Sequence, residues 1–267
     1  MSFFNKLFQS NPIKGEKNET KSSSSILGMI LLEELDSLDF DNVISELKNK
    51  WGLQAKDIKS DNGTSVFDIN GYMIAIAYMP APVPGNEVEE VVKYNYFWKN
   101  GVNEVSKHKG HIILSVMKVR RNPILENFLF SKIASTVMNN SKAIGIYIGA
   151  RTLVLKKDMY METVEKMSPE KLPLYIWIYF GLRKENEKQS IYTYGIADFG
   201  KMEMEVLDSE HTMSELSEMT YNLAHYVISS DVTLNDGETM GISSTQKIKL
   251  SISKGKYLDS DTIKIEY

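Results

Sequence analysis

Residues 66–79 read VFDINGYMIAIAYM, two β-rich runs parted by Asn70-Gly71. Both turn residues tolerate positive φ, which makes Asn-Gly between such runs a strong hairpin signal. The second run, Tyr72–Met79, is apolar on both faces, as a central strand is. Pro80, Pro82 and Pro84 end it, because proline donates nothing to a sheet ladder. Upstream, Ile26–Leu32 (ILGMILL) is continuously apolar, the pattern of a buried strand. Asp39 caps a helix on which Phe40, Val43, Ile44, Leu47 and Trp51 follow i, i+3, i+4 spacing, and Gly52 closes it. Downstream, Asn86–Trp98 reads as a helix with Val88, Val91 and Val92 inward. Val102–Lys107 follows as a short helix and His111–Met117 (HIILSVM) as a strand. The order strand, helix, hairpin, helix, strand predicts a ferredoxin-like (βαββαβ) lobe over 26–120.

The remainder, 121–267, predicts a second α+β lobe, so the fold class is α+β, two lobes of antiparallel sheet backed by helices. Asn122-Pro123 opens a helix with Ile124, Phe128, Leu129, Ile133 and Val137 as its buried stripe. Strands are expected at Ile144–Ile148, Leu174–Leu182, Ile191–Ile196 and Met202–Leu207, with a helix over Lys156–Lys166. Thr212-Met213-Ser214-Glu215 is a capping box, and Met213, Leu216, Met219, Leu223 and Val227 line one face of the helix it starts. Lys247–Ile252 and Ile263–Ile265 alternate as strands do.

The chain has 267 residues, 42% of them hydrophobic and 25% charged, enough apolar side chains for a real core. No stretch approaches the roughly 18 consecutive apolar residues of a membrane span. Cysteine is absent, which removes disulfides, thiolate metal sites and cysteine nucleophiles together. Net charge is −4, and of the 31 basic residues only Arg120, Arg121, Arg151 and Arg183 are arginine. Arginine is the residue for bidentate phosphate and guanine contacts, so nucleic acid is an unexpected partner. Residues 1–25 read as a flexible tail and linker ending in Gly15–Ser25 (GEKNETKSSSS). Within it, Met1–Phe8 sets Phe3, Phe4, Leu7 and Phe8 on one face, a frayed end or a weak dock for a membrane surface or partner. With no export signal in it, a cytoplasmic protein is expected.

Chemistry-bearing motifs are few. No phosphate-cradling glycine loop, nucleophile elbow or two-histidine zinc motif is present. His108 and His111 form an H-x-x-H pair, placed at a helix end and a strand start, and two histidines alone do not close a metal site. His225 lies beside Tyr221 and Asn222 on the capping-box helix, where a hydrogen-bonded structural role outweighs a general base without a named partner. The acidic run Glu33, Glu34, Asp36, Asp39 and Asp41 reads as a solvated face. Tyr94, Tyr96 and Trp98 form either an aromatic binding surface or core.

Asn70-Gly71-Tyr72 through Met79–Pro84 (MPAPVP), then Tyr96-Phe97-Trp98, His108–Ser115 (HKGHIILS), Tyr147–Gly149 and Leu172–Trp177 resemble the bacterial family called domain of unknown function 4261. That family brings no activity to carry over. The C-terminal part also resembles the suppressor-of-fused-like domain, through Tyr192–Ile196 (YTYGI), Asn222–Ala224 with Tyr226-Val227, and Leu234–Gly241 (LNDGETMG). Bacterial relatives of that domain are thought to act as immunity proteins that bind and cover a toxin. The resemblance thus implies an interaction module without a catalytic residue.

The leading expectation is a non-enzymatic cytoplasmic bacterial binding protein, extending to an immunity protein, with a protein partner and no cofactor, metal or catalytic residues. The alternative is a hydrolase or small-ligand-binding enzyme assembled from distant His111, His225, Asp236 and Glu238. Trp98, Tyr194 and Asn222 complete the set of residues expected at an interaction or alternative site.

Overall fold

A computed structural model describes residues 25–117, 122–241 and 247–267. The expected N-terminal tail falls outside these residues except for Ser25, as do Arg120 and Arg121.

The local signals near the start of the chain act as their chemistry requires. Strand β1 (Ser25–Leu32) leads to helix α1 (Phe40–Trp51), where the Asp39 carboxylate accepts the Asn42 N–H at 3.0 Å. Gly52 ends α1 at φ 66°, donating to the Leu47 and Lys48 carbonyls, the left-handed cap that glycine adopts most cheaply. Strands β3 (Thr64–Ile69) and β4 (Tyr72–Met79) form the expected hairpin, with Asn70 and Gly71 at φ 55° and 86°. Strand β2 (Lys56–Asp61) was not foreseen. It is exposed throughout and alternates no apolar residues, and its charges suit the sheet edge that it forms.

Two expected elements are corrected. The helix over Asn86–Trp98 stops early, as α2 (Glu87–Val92). Asn95 ends it by using its side chain twice, accepting the Phe97 N–H at 2.8 Å and donating to the Val154 carbonyl. The run Leu174–Leu182 is no continuous strand. After Pro173, Leu174–Trp177 makes a helical turn in which the Ile178 N–H reaches the Leu174 carbonyl at 2.7 Å, and only then does strand β8 (Tyr179–Glu185) begin.

The first sheet has seven strands in the order β2-β3-β4-β5-β1-β6-β7, with β5 at Gly110–Met117, β6 at Ala143–Ile148 and β7 at Leu153–Lys156. β4 lies between β3 and β5, as its two apolar faces require. The ferredoxin-like grouping expected of 26–120 is not established as a unit, since β1 lies between β5 and β6, and β6 and β7 come from beyond residue 120. The second sheet runs β11-β12-β13-β10-β9-β8, with β9 at Lys188–Tyr194, β10 at Met204–Ser209, β11 at Thr239–Gly241, β12 at Lys247–Lys254 and β13 at Asp261–Ile265. Pairing is antiparallel throughout except between β10 and β13. The fold is therefore α+β, two antiparallel-dominated sheets backed by helices.

One hydrophobic core joins both sheets, running from Ile30, Ile112 and Ile146 through Phe130 to Trp177, Ile191 and Val206. Phe130 lies on the helix Pro123–Asn139, which packs on the first sheet and also meets the turn Ile196–Phe199 beside the second. Between them sits Arg151, buried, with Nε on Asp198 at 2.9 Å and Nη1 on Asn127 at 2.6 Å and on the Trp177 carbonyl at 3.1 Å. The capping-box helix Met213–Ser229 forms as expected, Thr212 and Glu215 exchanging their bonds.

Candidate functional site

The expected site residues bond to different local partners. Trp98 is buried in a small core with Leu31, Val88, Val105 and Val154. His111 Nδ1 meets the Ala81 carbonyl at 2.8 Å, while His108 Nε2 accepts the Val83 N–H at 2.9 Å. The H-x-x-H pair thus pins the proline-rich segment to the start of β5. Burial, with His108 beside it, holds the His111 pKa below its ordinary value. His225 Nε2 accepts the Leu172 N–H at 3.2 Å, and Tyr221 donates its hydroxyl to the Leu172 carbonyl at 2.8 Å, so the two clamp one residue. Asp236 accepts the Ile252 N–H at 2.7 Å, and Glu238 accepts both Asn235 donors at 2.9 Å, shaping a single turn. Asn222 is exposed and lines a groove with Tyr226 and Met240. The acidic residues Glu33, Glu34, Asp36 and Asp41 stay in water, and Asp39 serves as the cap.

An aromatic face at the seam of the two sheets is what the structure brings together. It starts from the β8–β9 register, in which Tyr179 faces Tyr194 and Gly181 faces Tyr192. With a period of two, Tyr179, Gly181 and Arg183 share one side of β8, and Tyr192 and Tyr194 share it on β9. The missing side chain at Gly181 makes room for the Tyr192 ring, which lies over it. Tyr257 stacks on Tyr192 with centroids 5.2 Å apart, and the Arg183 guanidinium stands 5.5 Å from the Tyr192 centroid and 5.9 Å from that of Tyr257. Arg183 Nη2 donates to the Tyr192 hydroxyl at 3.3 Å.

A buried carboxylate positions Tyr257. Glu205 accepts the backbone N–H groups of Tyr257 at 2.9 Å and Lys256 at 3.1 Å, the Thr262 hydroxyl at 3.0 Å, and Lys264 at 3.2 Å. Burial pushes its pKa up, but these donors outweigh that and leave it below the usual value. Glu203, two residues earlier, accepts the Gly195 N–H at 2.8 Å and the Ala197 N–H at 3.2 Å, along with the Thr193 hydroxyl at 2.7 Å. In its case burial prevails and the pKa is raised.

The opposite wall comes from loops beside the first sheet. Tyr94, Tyr96 and Phe97 occupy the loop that Asn95 shapes, and all three are exposed. The stripe expected to be either surface or core is therefore both: Trp98 points inward and its three neighbours outward. The Tyr96 hydroxyl donates to the Phe180 carbonyl at 3.4 Å, and Phe97 packs edge-on to Tyr175 at 5.4 Å. Thr152 adjoins them at φ 54°, a left-handed conformation that is strained for a β-branched residue. Between the walls lies a pocket of about 240 Å³ lined by Tyr94, Thr152, Tyr179, Arg183, Tyr192, Tyr194 and Leu258. Burial raises the pKa of both Tyr179 and Tyr192.

A family model described as "Domain of unknown function (DUF4261)" matches residues 192–266. This supports the resemblance to that family over the C-terminal segment. The matched segment holds Tyr192, Tyr194, Glu203, Glu205 and Tyr257, whereas the motifs between residues 70 and 177 lie outside it. Searches of curated proteins and of solved structures found no match. Among the described residues no helix is long and apolar enough to cross a membrane.

Proposed function

We propose that the chain is a protein-binding module that works by surface complementarity, and that in its most specific form it is a bacterial cytoplasmic immunity protein covering a toxin. The exposed aromatic face carries this reading. Tyr94, Phe97, Tyr96 and Tyr194 keep 59, 49, 42 and 38% of their surface in water, with Arg183 among them. Tyrosine and arginine are the side chains that dominate binding energy at protein interfaces, and rigid aromatic anchors lose little entropy when covered. The resemblance of Tyr192–Ile196, Asn222–Val227 and Leu234–Gly241 to the suppressor-of-fused-like domain supports the same reading. No observation favours the hydrolase alternative, whose His111, His225, Asp236 and Glu238 each serve a separate local bond.

The test of the immunity form is rescue. Produced together with each toxin encoded beside its own gene, the protein should restore growth against at least one. Replacing Phe97 and Tyr194 by serine should abolish that rescue. Failure against every adjacent toxin would refute the immunity form.

A further inference from the structure

Among the described residues, the cation in the aromatic-face pocket has no ion-pair partner. Arg183 is half-buried and bonds to neutral oxygens, the Leu182 carbonyl at 3.0 Å, the Tyr192 hydroxyl at 3.3 Å and the Tyr179 hydroxyl. Arg151, by contrast, meets Asp198 at 2.9 Å. Acids on neighbouring stretches of the chain and sheet are already engaged, Glu205 by the donors named above. Glu185 pairs with Lys256 at 3.6 Å and accepts the Tyr257 hydroxyl at 3.3 Å, and Asp208 pairs with Lys256 at 3.2 Å.

A guanidinium held against two rings gives up part of its hydration, and an unpaired charge in such a place is costly. Its remaining donors form a planar fork suited to the two oxygens of a carboxylate. The Tyr179 and Tyr192 phenols stand beside the fork, bonded to it and to each other. Tyr94, Tyr194 and Leu258 form the outer wall, apolar enough for a short methylene stem.

We propose that this pocket takes the carboxylate of an aspartate or glutamate side chain on the protein partner, gripped by Arg183 at its base and enclosed by Tyr94 and Tyr194 at its mouth. The identity of the ligand's carrier rests on the binding-module reading; the affinity of the pocket for a carboxylate does not.

The experiment follows the arginine Nε–Hε signals of the ¹⁵N-labelled full-length protein during titration with N-acetyl-glutamate amide. The chain has only four arginines, and the Arg183→Gln variant assigns the Arg183 signal by its loss. The expected result is a saturable shift of that signal with capped glutamate and none with capped glutamine. Arg183→Lys, which keeps the charge without the fork, should weaken the binding, followed on backbone amides, by at least ~10-fold. Backbone spectra of both variants report that the fold is intact. Absence of saturation, an equal response to capped glutamine, or saturation with sodium phosphate alone would overturn the proposal, the last by making this a phosphate site. The two readings fail separately. A protein that binds capped glutamate and captures no partner keeps the pocket and loses the module. One that captures a partner equally well as Arg183→Gln keeps the module and loses the pocket.

Discussion

Gly181 and Tyr192 stand directly opposite each other on β8 and β9, and the tyrosine ring occupies the space where a side chain at 181 would be. A methyl group there overlaps the ring. Gly181→Ala must therefore move Tyr192 off its stack with Tyr257 and away from Arg183. Overpacking of this kind costs about 1–3 kcal/mol, to be read as a lower urea midpoint with unchanged slope. The same variant should lose partner binding, because Tyr192 and Arg183 are part of the aromatic face.

Arg151 links elements of both sheets through Asp198, Asn127 and Trp177. Arg151→Met keeps the bulk but takes their donor from the Asp198 carboxylate and the Asn127 side-chain oxygen. The Asp198 side chain is 28% exposed, so water can take up its charge, and losing the hydrogen bonds of Arg151 should cost about 1–3 kcal/mol. Asp198→Asn keeps an acceptor for Nε but leaves the buried guanidinium without its counter-charge, and it should cost more, about 3–5 kcal/mol. Chemical denaturation of the two side by side checks the order.

How far these positions were legible in the sequence depends on how local their causes are. The Asp39 and Gly52 caps, the Asn70-Gly71 hairpin and the Thr212 capping box were readable because each is decided within a few residues. β2 was hidden because Lys56, Asp57, Lys59 and Asp61 mask the alternation that marks a strand, although Asn62-Gly63 repeats the same turn signal. The early end of α2 depends on Asn95 bonding to Val154, a partner on another element. Tyr194 was among the expected interaction residues, but the face around it arises from the Tyr179–Tyr194 register and from Tyr257, which Glu205 holds in place. No short window of sequence contains those relationships. The period-two spacing of Tyr179, Gly181 and Arg183 was the one available signal.

Acid should loosen the proline-rich segment. Burial holds the folded pKa of His111 below its ordinary 6.5, so between that value and the lower folded one the unfolded chain binds more protons. Stability then falls as pH drops below about 6.5, and the contribution of neutral His111 is fully present only above it. Denaturation at pH 7.5 and 5.5 should show a drop for the wild type that is smaller in His111→Asn. An equal drop in both would exclude His111 as the source.

Thr152 at φ 54° carries backbone strain beside the pocket. Asparagine enters this region more readily, so Thr152→Asn should stabilise the fold by up to about 1 kcal/mol. A thermal melt that shifts upward confirms the strain, and a downward shift shows that the threonine side chain contributes more than its conformation costs.

The binding-module reading is tested most directly by affinity capture of the tagged full-length protein from its native lysate, with stoichiometry read by mass spectrometry. Three versions are compared: wild type, a Tyr94→Ser/Phe97→Ser variant on the aromatic face, and Leu125→Ser, which alters an exposed apolar residue at the start of the helix Pro123–Asn139. One stoichiometric protein should be retained by wild type and by Leu125→Ser and lost from the face variant. A clean wild-type bait, or a partner held equally by all three, would contradict the binding-module reading.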